Sequence, residues 1–152
     1  YQEIARDHPG EFGALVNLGN LYSRTGRGAE AVEYYEAALR VKRDLPGALV
    51  NLAWLLATHP DPLVRNAQEA LRLAREGARL VKGANPRVLE TLAAAQAAKA
   101  EFDAAVENQK EAVALLRGQD AYYRLEEAQI RLGSYDKREP WIAPDDPATQ
   151  GR

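Results

Sequence analysis

Between Leu15 and Ala38 the chain reads LVNLGNLYSRTGRGAEAVEYYEAA, and no other stretch restricts the fold as much. Leu15, Leu18, Gly19 and Tyr22 fall at i, i+3, i+4 and i+7, which puts them on one stripe of a helix. Gly26 and Gly28 interrupt the pattern in a short polar turn, and Ala31, Tyr35 and Ala38 then open a second stripe of the same period. Two short helices of this composition make a hairpin, pinched where Gly19 faces Ala31 and Ala38. Such a hairpin leaves an apolar face uncovered, so it has to stack on further copies of itself.

The copies are in the sequence. Counting from Phe12, the first-helix pattern returns from Pro46 as Leu49, Leu52, Ala53 and Leu56, a spacing of 46 − 12 = 34 residues. It returns again from Pro86 as Leu89, Leu92, Ala93 and Gln96, with Ala105 and Ala112 as the small residues of the following helix. The second interval is longer, 86 − 46 = 40 residues. These rows resemble the tetratricopeptide repeat, a helix-turn-helix unit of about 34 residues. The resemblance implies an all-α fold, an α-α solenoid in which antiparallel helix hairpins wind into a right-handed superhelix. It covers residues 1 to about 135, with repeats at about 12–45, 46–85 and 86–118.

Taken in order, residues 1–8 read as the end of a helix stopped by Asp7-His8-Pro9-Gly10. Helices follow at about 12–24, 29–42, 46–57, 66–82, 86–99, 102–117 and 119–132. Thr58-His59-Pro60-Asp61-Pro62 holds two prolines in three residues and cannot continue a helix, so the second hairpin has an enlarged loop. In the last helix Ala121, Leu125, Ala128 and Leu132 give one apolar stripe, with Glu126 and Gln129 on a wet outer face. Residues 136–152 carry three prolines and no periodicity, and read as an extended or disordered tail in which Trp141 and Ile142 can dock on the last hairpin.

Several function classes are disfavoured. Net charge is −2, so no basic field draws nucleic acid or an anionic membrane. No apolar run approaches the roughly 20 residues that cross a bilayer, so membrane insertion is not expected. Neither Cys nor Met occurs, which removes disulfides, thiolate metal sites and thiol nucleophiles. A chain that opens inside a helical pattern without Met reads as part of a longer precursor, and its excess of Arg over Lys fits a GC-rich bacterial gene.

No catalytic constellation is visible. The two histidines, His8 and His59, lie beside prolines in separate turns, and the two serines, Ser23 and Ser134, lie near neither. There is no Gly-rich phosphate loop, HExxH or calcium-loop pattern. The expectation is a non-enzyme without cofactor or metal. Glu36 with Arg40, and Glu69 with Arg72, are spaced to pair along outward helix faces.

In the family resembled, the concave surface is lined by the first helix of each hairpin and binds peptide or protein segments. The residues this places there are Asn17, Asn20, Arg24, Asn51, Trp54 and Arg87, with Thr91 as the third-repeat counterpart of Asn17 and Asn51. A row of Asn amides can meet both N–H and C=O of an extended peptide. This is similar to the asparagine ladder of O-linked N-acetylglucosamine transferase repeats, although Thr91 and Arg124 leave only two rungs. Asn20, Asn51 and Arg87 also resemble, in kind, the carboxylate clamp of certain cochaperones, with Val16 and Thr91 where that clamp has Lys and Arg. Asn is equally a residue of solvated helix faces. Two roles follow: a non-catalytic scaffold for a peptide or protein partner, or a subunit that associates head-to-tail with copies of itself through its incomplete ends. A third is the regulatory array of a larger enzyme. Neither the partner nor the compartment is written in the sequence.

Overall fold

A computed structural model describes residues 10–119 and 121–144. It contains seven helices, here α1 (Glu11–Arg24), α2 (Gly28–Val41), α3 (Pro46–Thr58), α4 (Ala67–Leu80), α5 (Pro86–Ala98), α6 (Phe102–Arg117) and α7 (Tyr122–Asp136), and no strand among the described residues. The helical segment expected at 1–8 lies outside the described residues, as does the tail beyond Pro144. Each helix packs on the next, and α3 also touches α5, so the hairpins α1–α2, α3–α4 and α5–α6 stack in chain order. The architecture is an all-α solenoid.

Helix starts follow local chemistry. Pro46 and Pro86 occupy first-turn positions, where the missing N–H costs nothing. Asn66 caps α4 by accepting from the Glu69 N–H at 3.1 Å, and Asn85 caps α5 by accepting from Arg87 and Val88 N–H groups. Exposed i,i+3 and i,i+4 pairs such as Glu69–Arg72, Glu76–Arg79 and Glu36–Arg40 lie on the outer faces. Each carboxylate of the first two pairs is held below its usual pKa by the arginine hydrogen bond, but exposed pairs of this kind contribute little stability.

The contact inside the first hairpin differs in detail from the expected one. A Cβ on Gly19 would lie 2.6 Å from Cε1 of Tyr35, so the glycine seats the Tyr35 ring against the α1 backbone. Ala31 and Ala38 are both fully buried on the same face of α2. A second close approach holds the enlarged loop: a Cβ on Gly28 would lie 2.3 Å from Nε2 of His59. The Asp61 N–H donates to His59 Nδ1 at 3.0 Å, and the Leu63 N–H donates to the Asp61 carboxylate at 2.9 Å. His59 and Asp61 thus build the loop that the two prolines make necessary.

The last helix runs beyond its expected end near 132, to Asp136. Gly133 does not stop it, because Tyr135 one turn later is completely buried with Ala93, Ala97 and Ala105. The helix closes instead at Arg138, whose φ of +62° and N–H to Tyr135 C=O make a left-handed cap. The Ala121, Leu125, Ala128 and Leu132 stripe packs on Val113 and Leu116, while Tyr122 and Tyr123 stand out into solvent. After the cap, residues 137–144 form no regular element and turn back over the stack.

Candidate peptide-binding groove

The first helices α1, α3 and α5 lie side by side along one face, and a pocket of about 310 Å³ opens between them. Its lining is Asn20, Ser23 and Arg24 from α1, Asn51 and Trp54 from α3, Arg87 from α5, and Tyr35 from α2. Five of the six residues expected to bind a partner therefore meet in one place. Asn17, the sixth, is exposed one turn before Asn20 and outside the pocket.

The two asparagines do not form a free ladder. Asn20 Oδ1 accepts from the Tyr35 hydroxyl at 2.7 Å and from Asn51 Nδ2 at 3.0 Å. That network links the first and second hairpins and fixes which way each amide faces. Burial lifts the Tyr35 hydroxyl above its ordinary pKa, so it stays a neutral donor to Asn20 at physiological pH. Thr91 is not a groove residue. It is fully buried, and its hydroxyl donates to the Arg87 carbonyl at 2.8 Å, returning a hydrogen bond to its own helix.

Trp54 is half-buried. One part packs on the central core, and the ring also carries the Arg87 guanidinium 4.7 Å from its centroid and Arg131 at 5.2 Å. Such stacking holds the guanidinium plane while leaving its N–H donors for a ligand. Burial pulls the pKa of Arg87 down, against a smaller upward pull from Glu90, with Arg131 and Arg124 adding to the depression. A guanidinium begins so far above neutrality that it stays charged. No carboxylate lines the pocket, and neither Arg24 nor Arg87 is ion-paired among the described residues.

Beside it sits a buried charge cluster. Glu90, 2% exposed, receives Arg131 at 2.5 Å and Arg124 at 3.5 Å. Arg131 comes from the last helix, so this pair locks α7 to α5 across 41 residues of sequence. The sequence held a signal for it: Glu90 occupies the repeat position filled by Val16 and Val50, since 16 + 34 = 50 and 50 + 40 = 90. A charge in an apolar row needs a buried partner.

A second pocket of about 480 Å³ adjoins the first and shares Ser23, Arg24 and Trp54 with it. Its walls also include Thr58, His59, Pro60 and, from the returning segment, Ala143 and Pro144. Elsewhere the described residues hold no group of three or more His, Asp or Glu placed to bind a metal ion, and no helix long and apolar enough to cross a membrane.

Stacked hairpins presenting their first helices along one open face define an α-solenoid. Residues 14–49, the first hairpin and the start of the next helix, match the family model of the tetratricopeptide repeat, and the seven described helices fit an array of that type. Repeats of this family generally mediate protein–protein interactions and are typically non-catalytic. No curated protein matches the chain.

Proposed function

We propose that the chain is a protein-interaction scaffold whose groove takes an extended, acidic segment of a partner. The observation that carries this is the charge of the pocket. Two arginines in no ion pair among the described residues, two oriented amides and a tryptophan converge there, on a chain whose net charge is −2. In this reading Arg24 and Arg87 take a side-chain or terminal carboxylate of the ligand. The amide edges of Asn20 and Asn51 not used in their mutual network meet its main chain, and Trp54 supplies apolar contact. Asn17 continues the same helix face for a longer ligand.

The test is a panel of fluorescent octapeptides of acidic, neutral and basic composition, titrated against the protein. Acidic members bind, and their affinity falls as salt rises. Arg87→Ala weakens them by roughly 10- to 100-fold, the value of about 1.5–3 kcal/mol for a hydrogen bond to a charged group. Equal binding across the panel, or a folded Arg87→Ala protein that binds acidic peptides unchanged, contradicts the assignment.

A further inference from the structure

Residues 137–144, the segment after α7, lie against the stack. Pro140 and Pro144 bar it from helix and keep it extended. Trp141 packs where Ala93, Ala97, Phe102, Val106 and Tyr135 meet, with Arg131 6.0 Å from its ring centroid. Two residues on, the Ala143 N–H donates to the Thr58 carbonyl at 2.7 Å. Thr58 is the last residue of α3, and its carbonyl has no partner within its own helix. Ala143 and Pro144 then form a wall of the pocket that shares Ser23, Arg24 and Trp54 with the arginine-lined one. The segment thus runs from the last helix past α5 to the C-terminal end of α3, facing the C-terminal end of α1.

Its starting point is fixed. The Ser134 hydroxyl donates to the Glu139 carbonyl at 3.1 Å, the Glu139 N–H donates to the Ser134 carbonyl at 3.0 Å, and Arg138 pairs with Asp103 at 2.7 Å. A tether this short presents the segment to its own groove at an effective concentration on the order of millimolar.

We infer that Pro140–Pro144 is an intramolecular ligand of the groove, and that a partner segment extending past the arginine pocket binds by displacing it. This rests on the reading above for the partner, but not for the strap itself. An eight-residue segment spans about 26 Å when extended, longer than a pocket of this size can hold. Continued past Arg24 and Trp54, it enters the adjoining pocket and meets the wall that Ala143 and Pro144 form.

The probe is a fluorescein-labelled heptapeptide of sequence Arg-Glu-Pro-Trp-Ile-Ala-Pro, copied from residues 138–144. It is titrated against the full chain, against Trp141→Ala, and against Ala143→Pro, which replaces the donor to Thr58 with a ring methylene. With a tether concentration of about 1 mM and an intrinsic Kd of about 0.1 mM, the resident strap weakens binding in trans about 10-fold. Full release of the strap therefore tightens probe binding about 10-fold, the limit Trp141→Ala approaches, while Ala143→Pro, which loses a hydrogen bond of about 1 kcal/mol, tightens it several-fold. Thermal melts establish that each variant is folded, and if Trp141→Ala is not, Ala143→Pro decides. Equal binding by parent and folded variant, or no binding to a folded variant, overturns the inference. The arms separate the two proposals: a probe contrast without any acidic-peptide binding keeps the strap and removes the anion site, and the converse does the reverse.

Discussion

Glu90→Ala lowers the stability of this fold by about 3–5 kcal/mol, because it leaves the buried Arg131 guanidinium without its counter-charge. The expected fall in melting temperature is roughly 10 °C or more for a chain of this size. Glu90 and Arg131 are 2% and 7% exposed, so solvent cannot replace the missing carboxylate. Arg124 reaches the same carboxylate from a far more exposed position and loses only a weak contact. The damage is not confined to one pair. Arg131 lies over Trp54 and Trp141, so its displacement loosens α7, the strap and the groove floor together. Tyr135→Phe is the matched control in the same cluster. Its hydroxyl is buried with no hydrogen-bond partner among the described residues, and removing it leaves stability unchanged or slightly raised. Calorimetric or chemical unfolding of both variants distinguishes a charge effect from general sensitivity of the region. A Glu90→Ala protein that melts with the parent contradicts the assignment of that pair as the lock on α7.

Gly19→Val is expected to cost about 2–4 kcal/mol, from two sources. Overpacking a filled core costs about 1–3 kcal/mol. Here the obstacle is the Tyr35 ring, 1% exposed and anchored in the core cluster, so it has little room to retreat. If the ring does move, its hydroxyl leaves Asn20 and a hydrogen bond of about 1 kcal/mol is lost. The gain in helix propensity on replacing glycine is smaller than the sum of these costs. The variant also carries a functional signature: once Tyr35 shifts, Asn20 and Asn51 lose their fixed orientation, so peptide affinity falls even where the protein remains folded. Chemical unfolding gives the first effect, and octapeptide titration at low temperature gives the second. Unchanged stability in Gly19→Val would mean that the close approach of α1 and α2 is not what seats the ring.

The apolar rows made the hairpins legible because a helix at 3.6 residues per turn writes its buried face directly into spacing. The three small residues Gly19, Ala53 and Ala93, each buried, mark one row in successive first helices. Six of the seven helices start and end within one or two residues of the expected positions. Departures occur where distant side chains outweigh local preference. The last helix reads as ending near 132, but burial of Tyr135 draws it four residues further. Thr91 sits in register with Asn17 and Asn51, yet packing of α5 against its neighbours closes over it. In the groove, residue identity was readable from register, but the pairing of Asn20 with Asn51 was not, since it joins α1 to α3 across 31 residues. The strap was least legible. A proline-rich tail with one tryptophan carries no period, and nothing local states that its Ala143 N–H meets Thr58.

The central claim is that one face of the stack, where α1, α3 and α5 converge, receives an acidic peptide. The most direct measurement is a ¹⁵N-resolved NMR titration of the protein with an acidic octapeptide. Shifts concentrated at the Asn20 and Asn51 side-chain amides, the Trp54 indole and the Arg87 guanidinium are the predicted result. Shifts confined to the outer helices α2, α4 and α6, with those four groups unmoved, would contradict it.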